Sequence, residues 1–274
     1  MRIRIVDAFT DQPFAGNPAG VCLLEAGPWP EEAWMQRIAA ELNLPETAFA
    51  RPLPAGQEAD WDLRWFTPTV EARMCGHATL ATTHAMAADG LLDGRVRFNS
   101  RSGVLVAEVG EDQAVTLDFP ASSAETIEAP AGLTAALGVE PSAVYRTRPL
   151  DDLLVVLSDE KAVRSAAPNL AALAEITERD GFRGTILTAE AADPADQYDF
   201  VSRFFAPAQG IPEDPVTGSA HTGLAPYWAK RLGRDSLVGF QASARGGLVH
   251  VVPAGDRVYL TGRAVTVLDG ELMV

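Results

Sequence analysis

Apolar and polar residues alternate from the start of the chain. Over residues 2–9 (RIRIVDAF), Ile3, Ile5 and Asp7 fall on one face and Arg4, Val6 and Ala8 on the other, the period of a strand. Gly16, Asn17 and Pro18 predict a turn, and residues 21–24 its partner strand. The period then lengthens: residues 30–42 set Trp34, Ile38, Ala39 and Leu42 at helical spacing, with Pro30 near the start, where its missing N–H costs nothing. Alternation returns over residues 61–66. Gly76, His77, Ala78 and Thr79 then open a small-residue helix continued by Leu80, Ala81, His84, Ala85 and Ala88. Strands are predicted at 95–98, 105–109 and 114–119, with 110–112 as the turn between the last two.

A Ser/Ala/Glu-rich connection at 120–130 marks a boundary, after which the pattern restarts. A short helix near 133–137, a strand near 152–157, a helix near 169–177 and strands near 184–189 and 198–205 lead to EDPVTGSAH, Glu213 to His221, and an apolar helical run at 224–228. Strands at 248–252, 257–261 and 264–268 close the chain. The restart is a repeat. RWFTP begins at Arg64 and RFFAP at Arg203, 139 positions on, and each precedes a glycine-led, alanine-rich helix, GHATLA from Gly76 and GSAHTGLA from Gly218. Two similar lobes are predicted. If they face each other, two helix N-termini, each with unpaired N–H groups and a positive dipole end, form opposed cradles for a small carboxylate; otherwise the glycines serve only close helix packing.

Composition narrows the partners. The 274 residues are 47% hydrophobic and 22% charged, as in a folded globular protein. Against 22 basic residues stand 37 acidic ones, a net charge of −15 that opposes nucleic acid and anionic membrane surfaces. The strand-like start lacks the apolar core of a signal peptide, and no run approaches the roughly 20 apolar residues of a membrane span, so a cytoplasmic location is expected. Cys22 and Cys75 are accordingly expected to stay reduced.

Several residues carry candidate chemistry. Glu46 sits among Leu44, Pro45, Ala48 and Phe49. It is either a capping or solvent-facing glutamate or a general acid/base whose proton affinity an apolar surround would raise toward neutrality. His77 is a helix-start cap or a site residue; Cys75 is a small buried side chain or a thiol activated by the helix N-terminus; His221 is a packing residue or a substrate contact. The four histidines, His77, His84, His221 and His250, show neither HExxH nor a zinc-type Cys/His spacing, and no GxGxxG or Walker pattern appears. No metal or cofactor is predicted.

NPAG from Asn17, LNLPETAF around Glu46, FTPTVEARMCGHATLA, FNSRSGVL from Phe98, LDFP from Leu117 and EDPVTGSAHTGLAPYW, in that order, resemble the phenazine biosynthesis PhzF-like family. The resemblance implies the α+β fold shared with diaminopimelate epimerase: two pseudo-twofold lobes, each a curved, mostly antiparallel sheet wrapped around a central helix, with the active site between them. The lobes would be residues 1–118 plus 262–274, and 119–261. It further implies Glu46 as the proton-transferring acid/base, His77 and Asp214 as substrate-orienting groups, and Gly76, Gly218 and Ser219 as holders of the substrate carboxylate. The family's best-known activity isomerises trans-2,3-dihydro-3-hydroxyanthranilate without metal or organic cofactor, and family analogy gives a homodimer. The epimerase relatives use two cysteines; here Cys75 lies where the first would be, and Asp214 to Thr217 supply no second. A two-thiol racemase is therefore not expected. The alternatives are a one-carboxylate epimerase or lyase on an amino or hydroxy acid, and a non-catalytic binding protein on the same fold.

Overall fold

The computed structural model describes residues 1–193 and 195–273. The chain divides into two compact units, Met1–Phe119 with Thr261–Val274, and Pro120–Leu260. The first holds β1 (Arg2–Ala8), β2 (Asn17–Leu23), α1 (Glu32–Leu42), β3 (Glu46–Pro52), β4 (Trp61–Phe66), β5 (Glu71–Ala72), α2 (Gly76–Ala88), β6 (Arg95–Ser100), β7 (Gly103–Val109), β8 (Val115–Pro120) and the closing strand Ala264–Glu271. Most neighbours are antiparallel: the closing strand with β1, β1 with β2, β3 with β4, β6 with β7 and β7 with β8. The pairs β2–β3 and β4–β6 are parallel, and parallel neighbours need a crossover, which α1 and α2 provide.

Helix α2 is buried on nearly every side, from His77 through Met86, and packs against β1, β2, β3, β7 and the closing strand. A helix without a polar face belongs inside, and this one is the core around which the sheet curls. Its threonines survive burial by bonding their own helix: the hydroxyls of Thr79, Thr82 and Thr83 donate to the carbonyls of Cys75, Ala78 and Thr79 at 2.6, 2.7 and 2.9 Å. At its C-terminus the buried Arg4 guanidinium donates to the Ala85 carbonyl and to Asp89, tying β1 to the helix end.

The second unit holds β9 (Ser123–Thr126), α3 (Leu133–Leu137), β10 (Ala143–Arg148), β11 (Leu153–Val156), α4 (Glu160–Ser165), α5 (Leu170–Asp180), β12 (Thr185–Glu190), β13 (Phe200–Ala206), β14 (Ile211–Asp214), α6 (Gly218–Leu232), β15 (Leu237–Gln241), β16 (Gly247–Ala254) and β17 (Arg257–Gly262). Its pairings repeat those of the first: β10–β11, β12–β13, β13–β14 and β15–β16 antiparallel, β11–β12 and β13–β15 parallel. Helix α6 takes the place of α2 and packs against β9, β15 and β16. Close approach is bought at Gly239, where an added Cβ would lie 2.5 Å from the Phe200 ring and 3.0 Å from His221 Nε2.

The repeat extends to single side chains. Arg64 on β4 makes a bidentate pair with Glu71 on β5, at 2.8 and 2.6 Å, and Arg203 on β13 makes the same pair with Glu213 on β14, at 2.7 and 2.9 Å. Each guanidinium also lies over the second aromatic of its motif, Arg64 5.1 Å from the Phe66 ring and Arg203 4.8 Å from that of Phe205. The arginine of R-x-F thus fastens the short hairpin that delivers the chain to each central helix.

The structure departs from the hydrophobic pattern in three respects. Asn17 and Pro18 begin β2 instead of forming a turn, and only Gly16, at φ 63°, has the turn's left-handed backbone. The connection at 120–130 contains β9, a short strand paired with β10. Strands β5, β14 and β15 and helix α4 are too short to register in the sequence, and β3, buried at four successive positions from Thr47 to Ala50, and β10 lack the alternation that marks a half-buried strand.

Candidate active site

In the first unit the acid/base candidate is set by a helix stop. Asn43 adopts the left-handed conformation at φ 50° and ends α1. Three residues later Glu46 is the first residue of β3, paired with Ala19 of the parallel strand β2. The carboxylate is 14% exposed, and its Oε2 lies 3.3 Å from Nε2 of His77. His77 is the second residue of α2, and Cys75, extended at φ −146°, is that helix's N-cap. The Cys75 thiol turns to the imidazole, with Sγ 3.4 Å from Nδ1.

Burial pushes the His77 imidazole down to about 3, so the ring is neutral at pH 7 and its 3.3 Å contact with Glu46 is not an ion pair. A neutral ring has one donor and one acceptor nitrogen. With the hydrogen on Nε2 it donates to an ionised Glu46 while Nδ1 accepts from the Cys75 thiol. The other tautomer accepts at Nε2 from a protonated Glu46. Both protonation states of the glutamate therefore find a matched partner without a charge on the ring. Glu46, Cys75 and His77 offer oxygen, sulfur and nitrogen atoms that all lie within 4.8 Å of one another. Tertiary folding, not a sequence spacing, makes that cluster.

In the second unit Asp214 ends β14 and Thr217 is the N-cap of α6. The buried Gln241 of β15 clamps the turn between them. Its Oε1 accepts from the Thr217 N–H at 2.8 Å, and its Nε2 donates to the Asp214 carbonyl at 2.8 Å and to Thr217 Oγ1 at 3.1 Å. Thr217 Oγ1 passes its own hydrogen to Asp214 Oδ2, which fixes the carboxylate's rotamer. Gly218 and Ser219 open α6, and no cap side chain covers the helix start. The Ser219 hydroxyl accepts from Arg183 at 2.8 Å. His221 lies fully buried one turn on, with Nδ1 2.8 Å from the Thr217 carbonyl and its ring against Phe200, and burial pushes it down to about 4. It packs inside the second unit.

The comparisons with known proteins cover the whole chain. A family model described as phenazine biosynthesis-like protein matches residues 6–270. The chain belongs to this family. It is 47% identical over 268 residues to an uncharacterized isomerase of Pseudomonas aeruginosa, covering 97% of this chain and 96% of that one. The crystal structure of a phenazine biosynthesis PhzF family protein from Enterococcus faecalis has a TM-score of 0.90 at 40% identity, covering 100% of this chain and 99% of that one. A hydroxyproline epimerase from Agrobacterium vitis, solved with trans-4-hydroxy-L-proline, has a TM-score of 0.63 at 15% identity over 98% and 91% of the two chains, a likeness of fold alone. With relatives of 41 to 47% identity named isomerases along essentially their full length, this phenazine biosynthesis-like chain is an isomerase.

Among the residues singled out from sequence, the structure brings Glu46 and His77 into contact, and it sets Gly76 at the start of α2 and Gly218 and Ser219 at the start of α6. Reading the sequence missed Arg183, Asp152 and Gln241, the groups that hold Ser219 and Asp214. None of the three lies in a motif; Asp152 opens a predicted strand without any signal of a site, and the repeat as it stands in the structure is what relates Arg183 to the first unit. β3 opens at Glu46 opposite Ala19 and β12 opens at Thr185 opposite Leu153, so the stretch just before β12 corresponds to the one that delivers the acid/base candidate.

Proposed function

We propose that the chain is a cofactor-independent isomerase that moves a proton on a small cyclic or unsaturated carboxylate, with Glu46 as the acid/base. The observation that carries this reading is the buried, neutral His77 against the Glu46 carboxylate. As carboxylate, Glu46 takes a proton from a carbon next to the conjugated system; as acid, it returns the proton at another carbon. Because the His77 ring carries no charge, no ion pair has to be broken between the two half-reactions. His77 and Asp214 are proposed to orient substrate. Gly76, Gly218 and Ser219 are proposed to hold its carboxylate through backbone N–H groups and the serine hydroxyl, stabilising the negative charge that develops in the transition state.

One observation favours isomerisation over epimerisation. An epimerase with two bases needs them on opposite faces of one carbon, whereas Glu46, Cys75 and His77 cluster within 4.8 Å in one unit. Thr185 and Thr217 take the places of Glu46 and Cys75 in the repeat, and neither threonine titrates in the working range. With Glu46 as the one titrating group at these repeated positions and Asp214 proposed only to orient substrate, a shift between carbons is the simpler reading.

The test is Glu46→Gln, assayed with trans-2,3-dihydro-3-hydroxyanthranilate and with solvent deuterium wash-in across a panel of small unsaturated carboxylates. Turnover should fall by about 10² to 10⁴ while the melting temperature and carboxylate binding stay near the wild-type values. Undiminished exchange in E46Q sinks the assignment. A homodimer in the cytoplasm belongs to the same proposal, and light scattering of the purified chain tests its stoichiometry.

A further inference from the structure

Arg183 sits between β11 and β12, in the turn before β12, outside every motif that defines the family resemblance. Its guanidinium forks. Nε and Nη2 each bond one oxygen of Asp152 at 2.7 Å, and Nη1 donates to Ser219 Oγ at 2.8 Å. Asp152 is 1% exposed, its backbone N–H is taken by Thr147 Oγ1 at 2.9 Å, and the guanidinium lies 5.2 Å from the Phe204 ring. The fork is therefore held at its root and along its face. The Asp152 charge balances that of Arg183, so the arginine reaches the start of α6 mainly as a directed N–H.

That N–H decides what Ser219 can do. A serine hydroxyl has one hydrogen to give and two lone pairs to receive with. With a lone pair engaged by Arg183, and no acceptor for its hydrogen among the described residues, Ser219 presents that hydrogen outward. Donation by the charged guanidinium also polarises the O–H and strengthens the bond it makes to an acceptor. We propose that Arg183, braced by Asp152, is a positioning residue that fixes Ser219 as a hydrogen-bond donor and so selects carboxylate ligands over their neutral amide counterparts. The proposal rests on the reading of Ser219 as a carboxylate-holding group. Arg183 touches Ser219, not the substrate, and acts through it.

Removing Arg183 outright leaves Asp152 as a buried, unpaired carboxylate, which endangers the fold. Arg183→Lys is the more informative variant, because an ammonium keeps the charge pair with Asp152 but has no planar fork with which to reach Ser219 as well. Binding of anthranilate and of anthranilamide is measured calorimetrically on the full chain for the wild type, R183K, S219A, R183K/S219A and E46Q. R183K should weaken anthranilate about 10-fold and bring its affinity close to that of anthranilamide. The double variant should be no weaker than S219A alone, since Arg183 has no effect left once the hydroxyl is gone. Equal penalties for R183K in the wild-type and S219A backgrounds overturn the inference, as does wild-type discrimination in R183K. E46Q should bind anthranilate normally, so a failure at Arg183 leaves the Glu46 assignment standing. A wild-type chain that binds no anthranilate removes the carboxylate reading of Ser219, and this inference with it.

Discussion

At the scale of the residue, the chemistry depends on how burial treats two histidines. His77 and His221 are both enclosed, and desolvation holds them down to about 3 and about 4. In the unfolded chain each titrates near the ordinary value of 6.5. Below that value the unfolded state binds protons that the folded state refuses, so stability is fully present above about pH 6.5 and is lost as the pH falls toward 4 and then 3. The slope is on the order of 1 kcal/mol per pH unit for each ring. Urea unfolding between pH 7.5 and 4.5 should show this decline, and His77→Gln with His221→Gln should flatten it; a midpoint independent of pH over that range removes the explanation. By NMR the His77 ring should remain neutral at pH 5, which also tests the claim that its contact with Glu46 is not an ion pair.

At the scale of the element, each site group is placed by a strand end or a helix start, and the helix starts depend on loop clamps. Gln241 is the clearest case, since one buried amide satisfies the Thr217 N–H, the Asp214 carbonyl and the Thr217 hydroxyl together. Gln241→Met keeps the volume but takes the acceptor from the buried Thr217 N–H and removes the clamp on the Asp214 carbonyl. It should cost about 1–3 kcal/mol by denaturant titration and raise KM more than it lowers kcat, because it frees the turn that carries Asp214 while leaving Glu46 untouched. Unchanged KM in that variant would mean that Asp214 does not orient substrate. Much of this scale was legible in the sequence. The long periodic elements, α1, β4, α2 and α5, lie within a few residues of where periodicity sets them. The short strands were not legible, because β5 has two residues and β14 has four, and each is fastened by a pair between residues distant in the pattern, Arg64–Glu71 and Arg203–Glu213.

At the scale of the whole molecule, charge and architecture pull apart. A net charge of −15 repels an anionic substrate at long range, so capture must rely on short-range donors such as helix N–H groups and Ser219. Added salt screens the repulsion more than it weakens contacts at a desolvated site. The association rate of anthranilate, followed by stopped flow, should therefore rise between roughly 0.01 and 0.15 M ionic strength; a fall would reveal a local positive field strong enough to outweigh the net charge. No helix among the described residues is long and apolar enough to cross a membrane.

The sequence by itself determined the duplication, because R-x-F and the glycine-led helix recur at a fixed offset, and it determined the family, because CGHAT and EDPVTGSAH are contiguous strings. It also marked Glu46, His77, Asp214 and Ser219 as a set. Only the tertiary structure decided how members of that set are held. The parallel pairing of β2 with β3 and the burial of α2 bring Glu46, Cys75 and His77 together and strip the ring of its charge. The turn before β12 brings Arg183 to Ser219 across 36 residues of chain. Hydrogen-bond direction and desolvation are properties of neighbours in space, and neighbours separated by whole strands and helices leave no period in the chain from which they can be read.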